Sequence, residues 1–276
     1  MKPIFILGGS GFLGHTLYRE LAPYFEVRAT YHNSKAFINN KKFYRYDLQE
    51  NNLIPLLNEV KPKLIISALR GCFEAQIENH TLLYEYVLKH NCRILFLSSA
   101  NVFDTFRHYP SYEYDKTFSE SIYGKLKIKI ENQIMRLPVG KYVIARLPMI
   151  FGKQAPRVLA FDEAIKQEKS IEVFPNTIIN ANSDVRLSQQ IHYMINQKKT
   201  GLFHLGSSDL ISHHEFVQLL MAQRHQKQGR FKQVYTSNQM RYLAVLPKEN
   251  KLPNHLQLSY SDVLNDCRLL KSNRPI

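Results

Sequence analysis

Apolar runs and segments of helical spacing alternate along the first half of the chain. The runs are short and lack polar alternation, which is typical of parallel strands buried on both faces. Between them, apolar residues recur every three or four positions, as in amphipathic helices. The predicted strands are Pro3–Leu7, Glu26–Tyr31, Phe43–Tyr46, Leu64–Ile66, Arg93–Leu97 and Tyr142–Ala145, and the predicted helices are Phe12–Leu21, Leu53–Val60, Ala75–Leu88 and Ser121–Met135. This order predicts βαβ units and an α/β fold around a parallel sheet.

The alternation weakens after Gly152, where a second region of the fold is predicted. Its elements are the helix Val158–Lys169, the strands Ile171–Phe174 and Ile178–Ile179, the strand Gly201–Gly206, which we expect to rejoin the sheet, and the helix Phe216–Met221. We therefore predict a doubly wound sheet of the Rossmann type from residues 1–152 and about 184–222. Residues from about 153–183 and 223–276 are predicted to form a smaller C-terminal substrate lobe over the carboxyl ends of the strands, where such sheets bind ligands.

Composition narrows the class of protein. Of 276 residues, 44% are hydrophobic and 22% charged, as in a soluble globular protein. Three scattered cysteines give neither a disulfide framework nor metal-ligand spacing, so we expect a cytoplasmic protein without a metal site. No apolar run is long enough to cross a membrane, and the first one is too short for a signal peptide.

The net charge of +14 leaves two interpretations open. It favours an anionic ligand, or it reflects a solvated basic surface. The lysines and arginines are dispersed and no nucleic-acid-binding motif accompanies them, so neither nucleic acid nor a membrane is an expected partner.

A glycine-rich loop connects the first predicted strand to the first predicted helix. Its spacing is G-x-x-G-x-x-G, at Gly8, Gly11 and Gly14. Glycine permits a tight turn, close backbone approach to a pyrophosphate and close contact between helix and strand. The helix N-terminus adds free N–H groups and a partial positive charge. The predicted dinucleotide-binding residues of this loop are Gly8, Ser10, Gly11, Phe12, Leu13 and Gly14.

The residues after the second strand bear on the choice of cofactor. An acid at that point would bind the adenosine ribose and favour NAD, but the chain has Tyr31, His32 and Asn33 there, with Arg28 and Lys35 nearby. The sequence therefore favours NADP(H) over NAD(H). Asp47-Leu48 is either an adenine contact or a helix cap. The other predicted cofactor residues are Ala68, Leu69 and Arg70, after the fourth strand, together with Tyr123 and Lys127.

Tyr123 and Lys127 are candidates for proton transfer. They are spaced i, i+4 on a predicted helix and so share one face. An ordinary tyrosine has a pKa near ~10, and a nearby cation favours its phenolate. We expect Lys127 to lower the pKa of Tyr123 and to reach the cofactor ribose. Ser98-Ser99 ends the fifth strand, where a hydroxyl can bind a substrate carbonyl.

Three motifs together resemble the extended short-chain dehydrogenase/reductases. They are Gly8-Gly9-Ser10-Gly11-Phe12-Leu13-Gly14, Ser98-Ser99-Ala100-Asn101-Val102-Phe103-Asp104 and Tyr123-Gly124-Lys125-Leu126-Lys127. Within that group the chain most resembles the dTDP-4-dehydrorhamnose reductases, which reduce a nucleotide-linked 4-keto sugar with NAD(P)H. The resemblance implies that Tyr123 is the acid, Lys127 its partner and Ser99 the hydroxyl beside the carbonyl. It further implies an anionic nucleotide-sugar substrate, a homodimer and substrate contacts from Ser98, Asn101, Val102, Phe103 and Arg146.

One departure from the family leaves alternatives open. The reductases usually read Ser-Thr-Asp-Tyr-Val-Phe at the serine motif, whereas here Ala100 and Asn101 replace the Asp and Tyr. The motif is closer to that of nucleotide-sugar 4-epimerases. A regulatory protein that binds NADP(H) without turnover is a further alternative, although the complete Ser-Tyr-Lys set argues against it. Asn79 falls where these folds often carry a helix asparagine.

Overall fold

Seven parallel strands form the central sheet. The computed structural model describes residues 3–105, 108–225, 229–235 and 238–269. With strands numbered in chain order, the sheet contains β1 (Ile4–Leu7), β2 (Val27–Tyr31), β3 (Phe43–Arg45), β4 (Leu64–Ser67), β5 (Arg93–Ser99), β6 (Tyr142–Leu147) and β11 (Gly201–His204). Their order is β11-β6-β5-β4-β1-β2-β3. Every neighbouring pair is parallel, so the carboxyl ends of all the strands lie at one edge.

Helices cover both faces of this sheet. They are α1 (Phe12–Leu21), α2 (Leu53–Val60), α3 (Phe73–Lys89), α4 (Ile122–Ile134) and α6 (Asp184–Asn196). In β1, Ile4 and Ile6 pack in one apolar cluster with α1 and α6, while Phe5 and Leu7 pack in another with α2, α3 and α4. Alternate residues of one strand thus enter opposite cores, which requires an apolar side chain at every position. In the part of the chain that is described, no helix is long and apolar enough to cross a membrane.

A third apolar cluster lies apart from the two cores of the sheet. Its elements are β7 (Met149–Phe151), α5 (Pro156–Lys166), β8 (Ser170–Val173), β9 (Thr177–Ile179), β10 (Ala181–Ser183), β12 (Ile211–Ser212), α7 (His213–Arg224), β13 (Arg230–Gln233), β14 (Arg241–Leu243) and α8 (Tyr260–Asp266). Small sheets pair β7 with β10, β8 with β13, and β9 with β12 and β14. This cluster contains Phe151, Val158, Phe216 and Leu220.

The predicted fold class is confirmed, and the strand predicted from Gly201 does pair with β6. Two differences concern the later half. The helix α6, which covers the sheet, was not predicted. The helix α7 packs through Phe216 and Leu220 in the third cluster, whereas its residues up to 222 were assigned to the nucleotide-binding unit. Part of the predicted segment 223–276, including residues 270–276, lies outside the described residues.

Candidate active site

A cleft of about 800 Å³ runs along the carboxyl edge of the central sheet. Its walls come from the loops after β1, β2, β3, β4, β5 and β6 and from residues of the third cluster. The lining residues that were also predicted as site residues are Gly8, Ser10, Gly11, Phe12, Leu13, Gly14, Tyr31, His32, Asp47, Leu48, Ala68, Leu69, Arg70, Ser98, Ser99, Asn101, Tyr123 and Lys127. Asn33, Val102, Phe103 and Arg146 do not line it.

The glycine loop closes tightly against the start of α1. Gly8 has φ +80, a left-handed conformation that glycine adopts without strain, and its N–H donates to Thr30 Oγ1 at 2.8 Å. A Cβ on Gly14 would lie 2.2 Å from the Gly8 carbonyl oxygen, so only glycine permits this contact. Among the described residues, the N–H groups of Phe12 and Leu13 have no acceptor. Free donors at a helix N-terminus fit a pyrophosphate.

The end of β2 is not as basic as the sequence suggests. The Arg28 guanidinium is bonded to Glu26 at 3.0 Å and to the Tyr44 hydroxyl at 2.9 Å, and it does not line the cleft. An acid also reaches this point from the next strand, because Asp47 Oδ2 lies 2.7 Å from His32 Nε2. Lys35 is likewise outside the cleft lining. The local argument for NADP(H) is therefore weaker in the structure than in the sequence.

The buried side chain of Asn79 supports a loop of the cleft without lining the cleft itself. Its amide donates to the Leu48 carbonyl at 3.0 Å and to the Ala75 carbonyl at 2.8 Å, and its Oδ1 accepts from the Tyr46 hydroxyl. Burial, with a smaller contribution from the Asp47 charge, raises the pKa of Tyr46 to about 12, so Tyr46 remains a donor. Asn79 thus fixes the loop that presents Asp47 and Leu48 to the cleft.

The structure brings Ser99, Tyr123 and Lys127 together. Ser121 caps α4 by accepting the Gly124 N–H at 3.0 Å, so Tyr123 lies in the first turn of the helix. A Cβ on Gly124 would be 2.3 Å from the Asn101 carbonyl oxygen, which shows how closely α4 approaches the turn after β5. This contact brings Tyr123 and Ser99 to line the same cleft.

Lys127 is buried beneath Tyr123. Its Nζ donates to the Leu97 carbonyl at 3.1 Å and lies 4.6 Å from the centre of the Phe96 ring and 5.6 Å from that of Tyr123. Burial lowers the pKa of Lys127 to about 8, with the Glu131 charge opposing this and Arg70 adding to it. The ammonium form still predominates at neutral pH.

The expectation that Lys127 lowers the pKa of Tyr123 is not met. Burial raises that pKa, while the nearby Ser99 hydroxyl and the charge of Arg70 oppose the rise without reversing it. The tyrosine keeps 39% of its surface exposed, in the cleft. A phenol in this setting is protonated at neutral pH and so is suited to give a proton.

Arg146 belongs to the interior and not to a substrate pocket. Its Nη2 lies 2.7 Å from Glu131 Oε2, and its Nη1 donates to the Glu113 carbonyl at 2.9 Å. The Ser98 hydroxyl donates to the same Glu131 carboxylate at 2.5 Å. The predicted substrate contact from Arg146 is therefore corrected. Ser98 borders the cleft, but its hydroxyl is already committed to Glu131.

Val102 and Phe103 are also turned inward. The turn Ala100–Phe103 is a short 3-10 helix, and its apolar side chains pack against Val245. Of this turn, Ala100 and Asn101 border the cleft. The Oδ1 of Asn101 accepts from the Ser99 hydroxyl at 3.0 Å. The prediction that Val102 and Phe103 contact substrate is corrected, because burial of apolar side chains outweighs their proximity to the motif.

Other cleft residues escaped the sequence analysis. They are Thr30, Tyr46, Gln49, Gly71, Cys72, Leu97, Ala100, Leu147, Pro148, Met149, Ile150, Ala155, Pro156, Arg157 and Leu243. Leu243 is distant in sequence and no local signal points to it. Pro156 at the first position of α5 is a recognisable helix start, and the residues before it follow a strand end. The cleft residues around Pro156 could therefore have been predicted from the sequence.

These features define a doubly wound α/β protein of the Rossmann type with Ser99, Tyr123 and Lys127 in one cleft. Residues 1–263 match the family model described as RmlD substrate binding domain, and the chain belongs to that family. No curated protein matches it.

Solved structures share the fold at low sequence identity. A dTDP-4-dehydrorhamnose reductase from Yersinia enterocolitica is 20% identical, with a TM-score of 0.75 over 97% of this chain and 99% of that one. One from Bacillus anthracis in complex with NADP is 19% identical, with a TM-score of 0.72 over 96% and 97%. A UDP-glucuronic acid 4-epimerase from Bacillus cereus in complex with NAD is 15% identical, with a TM-score of 0.72 over 96% and 96%. At these identities the likeness shows the fold.

Proposed function

We propose that this chain reduces a nucleotide-linked 4-keto sugar with NAD(P)H, with NADPH favoured. The observation that carries the proposal is the convergence of Ser99, Tyr123 and Lys127 in one cleft with the glycine loop. The structural likeness to dTDP-4-dehydrorhamnose reductases supports the choice of substrate class. When bound, the dihydronicotinamide supplies a hydride for the carbonyl carbon.

Each residue of the set has a distinct task. Tyr123 gives its phenolic proton to the carbonyl oxygen, for which its raised pKa keeps it in the acid form. Ser99, whose hydroxyl would turn from Asn101 Oδ1 to the substrate, hydrogen-bonds the same oxygen and stabilises the charge that develops there. Lys127, held by the Leu97 carbonyl, supplies a fixed positive charge and would bind the ribose hydroxyls of the cofactor. The free N–H groups of Phe12 and Leu13 would hold the pyrophosphate.

One feature of the structure favours NADPH and another favours NADH. The last residue of β2, Tyr31, is not an acid, which favours NADPH. The contact between His32 and Asp47 brings a carboxylate to the same place, which favours NADH. The neighbours include proteins solved with NADP and with NAD. Comparing kcat/KM for the two cofactors tests the proposed preference, and a higher value for NADH would reverse it.

The test of the activity is loss of NADPH absorbance in the presence of dTDP-4-keto-6-deoxy sugars. We expect turnover by the wild type and a loss of about 100-fold or more in Tyr123→Phe, because a positioned general acid contributes roughly that factor. Tyr114→Phe is the matched control, since Tyr114 is 75% exposed and outside the cleft lining. Full turnover by Tyr123→Phe would show that Tyr123 is not the proton donor.

A nucleotide-sugar 4-epimerase is the second candidate. The observation that favours it is the side chain of Asn101 in the cleft beside Ser99, where reductases usually have tyrosine. An epimerase would interconvert two nucleotide sugars without net consumption of added NADPH. Chromatography of the products, run beside the absorbance assay, separates the two activities. Binding of NADPH with neither activity would favour the regulatory alternative.

A further inference from the structure

Two arginines line the cleft at the end away from Asp47. Arg70 lies in the loop after β4, and Arg157 is the second residue of α5. Among the described residues, neither guanidinium forms an ion pair or a hydrogen bond. The charge of Arg70 acts to lower the pKa of Arg157, of Tyr123 and of Lys127, so Arg70 lies near all three.

The position of Arg157 is electrostatically unfavourable. Crowding by neighbouring protein atoms, followed by the charge of Arg70, lowers its pKa, although the residue is exposed to solvent. The first turn of a helix also disfavours a cation, because the N–H groups there carry partial positive charge. Its guanidinium is held 5.5 Å from the centre of the Phe151 ring. His213 does not compensate, since burial, followed by the charges of Arg157 and His214, lowers its pKa to about 4 and keeps it neutral.

No acid of the cleft neutralises this pair. Asp47 is the single carboxylate among the described lining residues, and it follows β3, whereas Arg157 follows β6 and β7. In the sheet order β6-β5-β4-β1-β2-β3, β3 lies five spacings from β6 and three from β4, the strand before Arg70, or roughly 24 and 14 Å at about 4.8 Å per spacing. Both distances exceed the Debye length of about 8 Å at physiological salt. Unpaired like charges in a cleft are typical of a site for an anion.

We propose that Arg70 and Arg157 together bind the diphosphate of the substrate, beside the reacting carbonyl. The inference rests on the proposed function, in that the anion is taken to belong to a nucleotide-linked sugar. Guanidinium groups bind phosphoryl oxygens through paired N–H donors, which suits two arginines that line the same cleft. The pyrophosphate of the cofactor is the other source of phosphoryl oxygens, and Arg70 was predicted as a cofactor residue; the N–H groups of Phe12 and Leu13, proposed above to hold that pyrophosphate, leave both arginines for the substrate.

The test is calorimetric titration of the NADP(H)-loaded protein with dTDP and, separately, with thymidine. We expect dTDP to bind at least tenfold more tightly than thymidine. Arg157→Gln and Arg70→Gln should each weaken dTDP binding about tenfold or more, because each removes charge-assisted hydrogen bonds. Arg157→Lys should restore part of the affinity. Arg136→Gln, an exposed arginine at the end of α4, is the control and should bind dTDP as the wild type does.

Titration of NADPH into the same variants identifies the source of the anion. Binding of NADPH by Arg157→Gln should stay within twofold of wild type. If this variant loses NADPH affinity and keeps dTDP affinity, the arginine serves the cofactor and the proposal is overturned. Equal binding of thymidine and dTDP, or unchanged dTDP binding in both glutamine variants, would also overturn it.

The outcome is separable from that of the proposed reductase. Turnover of a keto sugar with KM unchanged in Arg157→Gln and Arg70→Gln would overturn the diphosphate site alone. Binding of dTDP that depends on both arginines, without turnover of any keto sugar, would overturn the reductase alone and leave the anion site in place.

Discussion

Glu131 is the centre of a buried polar cluster, and its charge is the most informative one to remove. Its carboxylate accepts from Nε and Nη2 of Arg146 and from the Ser98 hydroxyl. The side chains of Glu131 and Arg146 are 1% and 3% exposed. Glu131→Gln keeps the shape of the side chain, removes its charge and places an NH₂ group where a second acceptor stood.

The cost follows from what is left behind. Removing one partner of a buried ion pair costs about 3–5 kcal/mol, because the remaining charge is desolvated without compensation. The Arg146 guanidinium keeps its bond to the Glu113 carbonyl, so we expect the lower half of that range. A domain is stable by roughly 5–15 kcal/mol, so Glu131→Gln should remove a large fraction of the free energy of unfolding.

Urea denaturation with linear extrapolation measures the effect. Glu78→Gln is the control, since Glu78 is an exposed acid on α3, and it should change the free energy of unfolding by less than about 0.5 kcal/mol. The double variant Glu131→Leu with Arg146→Met should recover much of the loss, because well-packed apolar replacements of a buried pair are often neutral. A loss below about 1 kcal/mol in Glu131→Gln would refute the claim that Arg146 depends on this carboxylate.

Three further predictions concern the cofactor loop and the response to acid. Gly14→Ala should reduce NADPH affinity at least tenfold in a fluorescence titration, because its methyl group would lie 2.2 Å from the Gly8 carbonyl oxygen. Gly229→Ala, where the nearest atom is 3.4 Å away, should leave the affinity unchanged. Burial is the main factor that lowers the pKa of His80, to about 3, so its contribution to stability is complete above about pH 6.5 and is lost as the pH falls towards 3. In His80→Gln, the fall of the free energy of unfolding between about pH 6 and pH 4 should be shallower by up to about 1.4 kcal/mol per pH unit, and an unchanged slope would contradict the burial of a neutral imidazole. Burial tends to raise the pKa of Asp162, but hydrogen bonds from an arginine and a histidine outweigh it and hold the pKa below 3.8. Asp162→Asn should therefore be destabilised at neutral pH, with urea midpoints that converge on those of the wild type as the pH falls below 3.8; a constant difference would exclude this origin.

Local patterns predicted the sheet because its strands need little else. Residues such as Phe5 and Ile6 are apolar on both faces of a strand, and that property is visible in sequence. Helix α6 was missed although Leu187, Ile191 and Met194 follow helical spacing. The polar residues of α6 obscure this spacing in the sequence, because some of them are buried and hydrogen-bonded to other elements. Gln190, for example, donates to the Leu256 carbonyl at 2.9 Å.

Site residues were predictable where the backbone positions them, and the predictions failed where a partner side chain sets the direction of the residue. Glycines and strand ends fix the cofactor loop and the Ser99–Tyr123 pair. The direction of Arg146 is set by Glu131, a residue that is adjacent only after folding. Spacing along the chain cannot tell whether an arginine finds a buried acid, as Arg146 does, or none among the described residues, as with Arg157.

Contacts between β5 and α4 hold the proposed catalytic residues in place. Two successive residues near the end of β5 each bond one residue of α4: the Leu97 carbonyl accepts from Lys127 and the Ser98 hydroxyl donates to Glu131, while Ser99, the next residue, lines the cleft with Tyr123. One strand therefore sets the position of Lys127, of the buried acid one helical turn further on and of the helix that carries Tyr123. Because Gly124 has no side chain, the helix can approach the turn after β5 closely enough for these contacts to form. It follows that the tyrosine–glycine–lysine spacing and the serine pair are one geometric requirement, which neither motif would meet alone.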